Sequence, residues 1–151
     1  MTGKMEIRIK KALDTHREED IQTPLISDGN ACFDFYAPEK TVIYPDNLHI
    51  KVGTGWQFEI PAGYHMKLFM RSSYGAKRGL RLSNCVGIID SSYRGEVVAV
   101  FDNIGTVPEI IEAGDRFVQG LIEKNVPVAF KEVATLTETQ RGTGGFGSTG
   151  E

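Results

Sequence analysis

Only two cysteines and one tryptophan occur in this chain of 151 residues. Cys32 and Cys85 lie far apart, with no CxxC spacing, so neither a disulfide framework nor a redox pair is indicated. They read as two buried free thiols in a reducing cytoplasm. The three histidines, His16, His49 and His65, do not cluster in sequence, and no zinc spacing appears. A basic excess is also missing. The balance is 17 basic against 20 acidic side chains, net −3. That argues against a nucleic-acid partner but leaves room for a few arginines that hold a small phosphate compound. No apolar run has the length that crosses a bilayer. Met1 to Lys11 alternates charged and apolar residues without a hydrophobic stretch, so it is not expected to be a signal peptide. The expectation is a cytoplasmic protein without a membrane partner.

What is present is mostly strand. Glu6–Lys10, part of His49–Val52, and Trp56–Ile60 alternate at period two. Tyr64–Met70, Glu96–Phe101, Arg116–Ile122 and Val128–Val133 are further short runs rich in β-branched and aromatic residues. Between them lie turn formers at Pro45–Asn47, Pro61–Gly63, Asn103–Gly105 and Ala113–Asp115. Many short strands at regular spacing predict an all-β sandwich or barrel of the jelly-roll kind. One short helix is expected, around Ser72–Arg78. Glu109–Glu112 is too short and too β-branched to favour a helix.

After about Thr137 the composition changes. Residues 141–150 hold five glycines, one arginine and one phenylalanine, and end in Ser-Thr-Gly. Such a segment cannot hold itself in a core, because ordering glycine is entropically costly. One reading is a disordered tail. The other is an arm that closes on a ligand. Glycines let backbone amides approach a phosphate, hydroxyls and a forked cation add donors, and a ring offers a flat face to a base. The chain therefore divides into a β-barrel body, residues 1–136, and a C-terminal arm, residues 137–151.

Five segments carry a closer signal. They are Ala31-Cys-Phe-Asp-Phe-Tyr-Ala37, Arg71-Ser-Ser-Tyr-Gly-Ala-Lys-Arg-Gly79, Gly87-Ile-Ile-Asp-Ser-Ser-Tyr-Arg-Gly95, Gly114-Asp-Arg-Phe-Val-Gln119 and Arg141-Gly-Thr-Gly-Gly-Phe-Gly-Ser-Thr-Gly150. In this order and spacing the chain resembles the trimeric dUTPase family from about Glu6 to Gly150. The second, third and fifth segments are the most specific. The resemblance implies a jelly-roll subunit, a homotrimer with sites shared across subunits, and hydrolysis of dUTP to dUMP and pyrophosphate.

The resemblance makes Asp90 the base that activates a water for attack on the α-phosphate. The bare residues also allow a turn aspartate in Asp90-Ser-Ser-Tyr93. Tyr93 corresponds to a ring that presses on the deoxyribose and excludes a 2′-hydroxyl. Asn84, Gly87, Ile88, Ile89 and Val98 correspond to a hairpin that reads uracil with main-chain groups. Arg71, Ser72 and Ser73 open the expected helix, where free amides, hydroxyls and a guanidinium favour phosphate oxygens. Gln119 corresponds to a phosphate- and water-binding position. Arg141 would meet the terminal phosphate, Phe146 would stack on uracil, and Gly147, Ser148 and Thr149 would hold phosphates. Phe33 and Phe35 read as packing residues.

No carboxylate cluster suits a magnesium cage. The resemblance implies Mg²⁺ held by the triphosphate and water, with Asp34 in a supporting or structural role and no direct protein ligand. The sequence departs from the family pattern at Ser92, Met70 and Cys32, the last adding bulk where the pattern is small. A dCTP deaminase-like enzyme is the nearest alternative. It would need a proton-shuttling glutamate where Val100 stands, and a tryptophan where Tyr93 stands. A regulatory binding protein on the same scaffold would have no use for the set Asp90, Tyr93, Arg141 and Phe146. A regulatory protein partner beside catalysis stays open.

Overall fold

The computed structural model describes residues 3–146. Its strands, in chain order, are β1 (Arg8–Lys11), β2 (Phe33–Tyr36), β3 (Thr41–Ile43), β4 (Ile50–Glu59), β5 (Tyr64–Met70), β6 (Leu80–Leu82), β7 (Gly87–Asp90), β8 (Glu96–Asn103), β9 (Glu109–Ile111) and β10 (Arg116–Lys124). One α-helix, α1 (Ser72–Lys77), and a 3-10 turn at Glu18–Asp20 complete the elements. Every ladder between strands is antiparallel. One sheet has the order β1-β4-β8-β6, a second β2-β10-β5-β7, and β3 pairs with β9 alone. This is the all-β, jelly-roll-like architecture that the strand spacing predicts.

The two larger sheets pack against each other through the apolar residues that recur at every second position of their strands. Along β8 the buried residues are Val97, Ala99, Phe101 and Asn103, with half-buried ones between. That is the period-two pattern of a half-buried strand. Phe33 and Phe35 of β2 reach across to Phe58 of β4, with ring centroids 6.3 and 5.7 Å apart. Phe101 of β8 meets Phe117 of β10 at 6.1 Å. Each ring removed from water contributes roughly 1.5–3 kcal/mol. Asn103 is buried but satisfied. Its amide donates to the carbonyls of Ile43 and Val107 at 2.8 and 2.9 Å, and its oxygen accepts from the Gly105 amide at 2.9 Å.

The strand at Tyr64–Met70 forms with the expected bounds. His49–Val52 and Trp56–Ile60 instead become one strand, β4, with an irregular register between Gly53 and Gln57. Gly55 sits at this bulge with φ +78, where a Cβ would lie 2.9 Å from the Ile21 side chain. A bulge re-aims the strand and suits glycine at φ above zero. Glu109–Ile111, short and β-branched, is strand β9. Val128–Val133 is not a strand. Val126, Val128 and Phe130 stand exposed, because no strand of the described chain offers them a ladder, and an unpaired strand is not stable alone. The two free thiols are not both buried: Cys32 is half-buried and Cys85 exposed. Among the described residues, no helix is long and apolar enough to cross a membrane.

Phe35 is 0 % exposed and touches two other rings. Phe35→Ala is expected to cost about 3–5 kcal/mol. A lowered urea midpoint at unchanged slope is the readout. An unchanged midpoint would mean that this cluster does not hold the sheets together.

Candidate active site

Asp90 ends β7, directly opposite His65 in the β5–β7 ladder. The sequence suggests a hairpin from Gly87 to Val98, but the two strands do not pair with each other. β7 pairs with β5, whereas β8 pairs with β4 and β6, so the chain changes sheet between Asp90 and Glu96. β7 is therefore the edge of its sheet. Its outer backbone donors and acceptors are not used by a neighbouring strand. A cleft of about 230 Å³ opens between β7 and the start of β8. Asn84, Gly87, Ile88, Ile89, Asp90, Tyr93 and Val98 all line it, together with Leu68, Glu96 and Val97. Tyr93 is 47 % exposed, and its hydroxyl donates to the Glu96 carbonyl at 3.0 Å.

A second cleft, of about 360 Å³, lies at the other end of β5. Gly29, Asn30, Ala31, Cys32, Asp34, Arg71, Ser72 and Gln119 line it. Arg71 is the residue before α1 and makes no side-chain cap bond, so the first amides of this helix keep free donors. Its Nε donates to Asp34 Oδ1 at 2.9 Å, and its Nη1 donates to the Arg116 carbonyl at 3.0 Å. Arg116 Nη1 donates to the other oxygen, Asp34 Oδ2, at 3.2 Å. Asp34 thus holds two guanidinium groups beside the cleft. Gln119 donates to the Met70 carbonyl at 2.8 Å. Tyr74 pins α1 from below: its hydroxyl donates to Asp115 at 2.9 Å. Burial, then that hydrogen bond, pushes the Tyr74 pKa up to about 12.

Apart from Ser73, which lines neither cleft, the body residues expected to form one site fall into these two groups. Asp90 lies by His65 near the start of β5, and Arg71 follows Met70 at its end. Six residue steps separate the two positions, about 20 Å at 3.3 Å per residue. Neither of these two clefts contains both groups. Arg141 and Phe146 line neither. Arg141 Nε donates to the Gly144 carbonyl at 2.8 Å, and the Phe146 ring is fully exposed. Gly147, Ser148 and Thr149 lie outside the described residues. The sequence by itself points to no role for Arg116 or Glu96. The fourth segment, Gly114–Gln119, could have flagged Arg116. Nothing local could have flagged the Glu96 carboxylate, whose partners Thr15 and His16 lie about 80 positions away and Gly55 41.

The sequence profile of the dUTPase family matches residues 19–150. A deoxyuridine 5′-triphosphate nucleotidohydrolase of Anaplasma marginale is 41 % identical over 123 residues, 80 % of this chain and 83 % of that one. One of Helicobacter pylori is 33 % identical over 147 residues, 97 % of each. The chain belongs to the dUTPase family. Among solved structures it is similar to the dUTPase of Staphylococcus bacteriophage 80alpha with dUpNHpp, at TM-score 0.85 and 21 % identity, covering 97 % of this chain and 99 % of that one. A dUTPase from phage phi11 of S. aureus, described with a structural Mg(II) ion, matches at TM-score 0.76 and 19 % identity over 87 % and 98 %. At such identities these two likenesses speak for the fold.

A dUTPase-family chain invites a test for Mg²⁺. Among the described residues, no three His, Cys, Asp or Glu side chains gather as they would around a protein-held ion. The carboxylate that lines the second cleft, Asp34, has both oxygens taken by guanidinium groups. This donor set fits a hydrated ion carried in on a triphosphate, and Mg²⁺ keeps its waters and prefers phosphate oxygens. Cys32 fills part of the same cleft. Burial, then the charge of Asp34, pushes its thiol pKa up, so the unreactive thiol form persists to higher pH than usual. Iodoacetamide at pH 7, followed by mass spectrometry, should modify the exposed Cys85 well before Cys32. Equal labelling would mean that the cleft does not shield Cys32.

Proposed function

We propose that the chain hydrolyses dUTP to dUMP and pyrophosphate, with Asp90 as the base. The observation that carries this reading is the position of Asp90. It stands at the rim of a cleft bounded by the unpaired edge of β7, beside a half-exposed tyrosine. The free edge of Gly87–Ile89, with Asn84 and Val98, meets the polar edge of uracil. Cytosine would leave those donors and acceptors mismatched. The Tyr93 ring lies against the deoxyribose. Asp90 takes a proton from water as the water oxygen bonds to the α-phosphorus. The bond from that phosphorus to the bridging oxygen breaks, and pyrophosphate leaves. Arg71, Ser72, Ser73 and Gln119 bind the phosphates and stabilise the charge that develops on the leaving group. When Mg²⁺ is bound by the phosphates, it neutralises part of their charge. Val100 offers no acid for the deaminase alternative.

The family resemblance implies a homotrimer, and the separation of the two clefts fits one in which each site joins the Asp90 cleft of one subunit to the Arg71 cleft of another. The glycine-rich arm from residue 137 onward closes over the assembled site as a lid, excluding water. Arg141 and Ser148 then meet phosphates, Gly147 gives close backbone approach, and Phe146 stacks on the base. The body, residues 1–136, supplies the rest. A cytoplasmic location fits a nucleotide substrate, and a regulatory protein partner is compatible with the same scaffold.

Pyrophosphate release against dUTP, dTTP, dCTP and UTP tests the activity. dUTP should be strongly preferred, and Asp90→Asn should lower its turnover by roughly 10²- to 10⁴-fold while binding persists. Turnover by Asp90→Asn near the parent level would remove Asp90 from the mechanism. Mixing tests the sharing. Asp90→Asn and Ser72→Ala, unfolded together and refolded, should regain activity above either parent, since some hybrid sites combine both intact halves. Activity no higher than the mean of the parents would make each site the work of one chain.

A further inference from the structure

The Tyr93 ring does not hold its position unaided. Its hydroxyl donates to the Glu96 carbonyl at 3.0 Å. Its ring also lies so close to Gly95 that a Cβ there would stand 2.6 Å from Cζ and 3.0 Å from Cε2. The φ of Gly95 is not positive, so glycine is needed here for the room it leaves rather than for its conformation.

Glu96 in turn is anchored by more than strand pairing. The β4–β8 ladder breaks between Gly53 and Gln57, just where β8 begins. Inside that break the Glu96 carboxylate replaces the missing ladder. Its Oε1 accepts from the Gly55 amide at 2.7 Å and from His16 Nε2 at 2.8 Å, and its Oε2 accepts from Thr15 Oγ1 at 2.9 Å. The Glu96 and His16 side chains are only 12 % and 7 % exposed. Such a buried carboxylate is costly to loosen, because the Gly55 amide and His16 would lose their partner, while the Thr15 hydroxyl has the Ala12 carbonyl at 3.1 Å as a second acceptor. Gly53 leaves space for the pair: a Cβ there would lie 2.7 Å from His16 Nε2.

We infer that Gly95 and Glu96 are positioning residues for sugar selection, fixing the Tyr93 ring from below and from its hydroxyl end, with His16 and Thr15 holding Glu96. The inference rests on the proposed role of Tyr93. Exclusion of one added hydroxyl by a wall depends on where the wall stands. A small displacement of the ring therefore removes much of the selectivity. Gly95→Ala pushes the ring outward, and Glu96→Gln replaces an acceptor of three bonds with an amide that cannot accept all of them.

The test is the ratio of kcat/KM for dUTP to that for UTP, with melting temperature measured alongside. With a wild type that prefers dUTP, both variants should lose about tenfold or more of that ratio, whatever happens to melting. Gly95→Ala touches no buried polar group, so it stays informative if Glu96→Gln folds poorly. A selective wild type with Gly95→Ala retaining the ratio within about twofold would overturn the inference and leave the proposed function standing. A wild type that hydrolyses both nucleotides equally would overturn the sugar role of Tyr93, and the inference with it.

Discussion

The register of β5 is the constraint on which the rest of the site depends. β10 pairs with it on one side and β7 on the other. Met66 and Leu68 point into the core, which fixes the strand against slipping by one residue, since a slip would turn both out to water. With β5 fixed, Leu68 must face Gly87 and His65 must face Asp90. Arg71 must emerge at the far end, next to Asp34 and Gln119, which β2 and β10 bring alongside. Burial of a few apolar side chains thus decides where the carboxylate and the guanidinium groups stand.

The charge arrangement follows from that placement. Arg71 and Arg116 would repel each other if nothing stood between them. Asp34 shares one oxygen with each, so the cluster keeps a net positive charge without two bare cations in contact. Arg71 uses Nε and Nη1 on the protein. A guanidinium fixed through two nitrogens presents its remaining donors in one direction, with little entropy left to lose when an anion arrives. Such a local centre is compatible with a chain whose net charge is −3, because attraction to a phosphate at contact range depends on nearby charges, and salt screens the distant ones.

The sequence was most legible where periodicity or short motifs express a local rule. Tyr64–Met70 is a short apolar and aromatic run flanked by Pro-Ala-Gly and the helix start, so its bounds could be read directly. Ser72–Lys77 likewise forms within the stretch expected for a helix. The strands Phe33–Tyr36, Thr41–Ile43, Leu80–Leu82 and Glu109–Ile111 are three or four residues long, too short for a period to show. Val128–Val133 has the composition of a strand but no partner within the described chain, and pairing is a tertiary fact that composition does not contain. The candidate site residues were picked out by motif. Their division into two clefts was not, because it depends on the β5–β7 register rather than on any segment. The Thr15, His16 and Glu96 contacts bridge about 80 positions and leave no local trace.

That division has a consequence for how selectivity and charge are built. The Asp90 cleft is shaped by an edge strand, a bulge and a ring held against glycine, all features of rigid backbone. The Arg71 cleft is shaped by long side chains around one carboxylate. A base needs fixed donors and acceptors at a narrow spacing, which backbone supplies with little freedom to lose. A triphosphate is flexible and highly charged, and it is better met by forked cations and hydroxyls. Keeping the two apart also keeps the arginines from pairing with Asp90. Under the proposed mechanism, a guanidinium within contact distance of that carboxylate would favour its charged form and weaken it as a base. If the clefts meet only between subunits, the phosphates lie between the two when the site is filled, and the cations face the leaving group rather than the base.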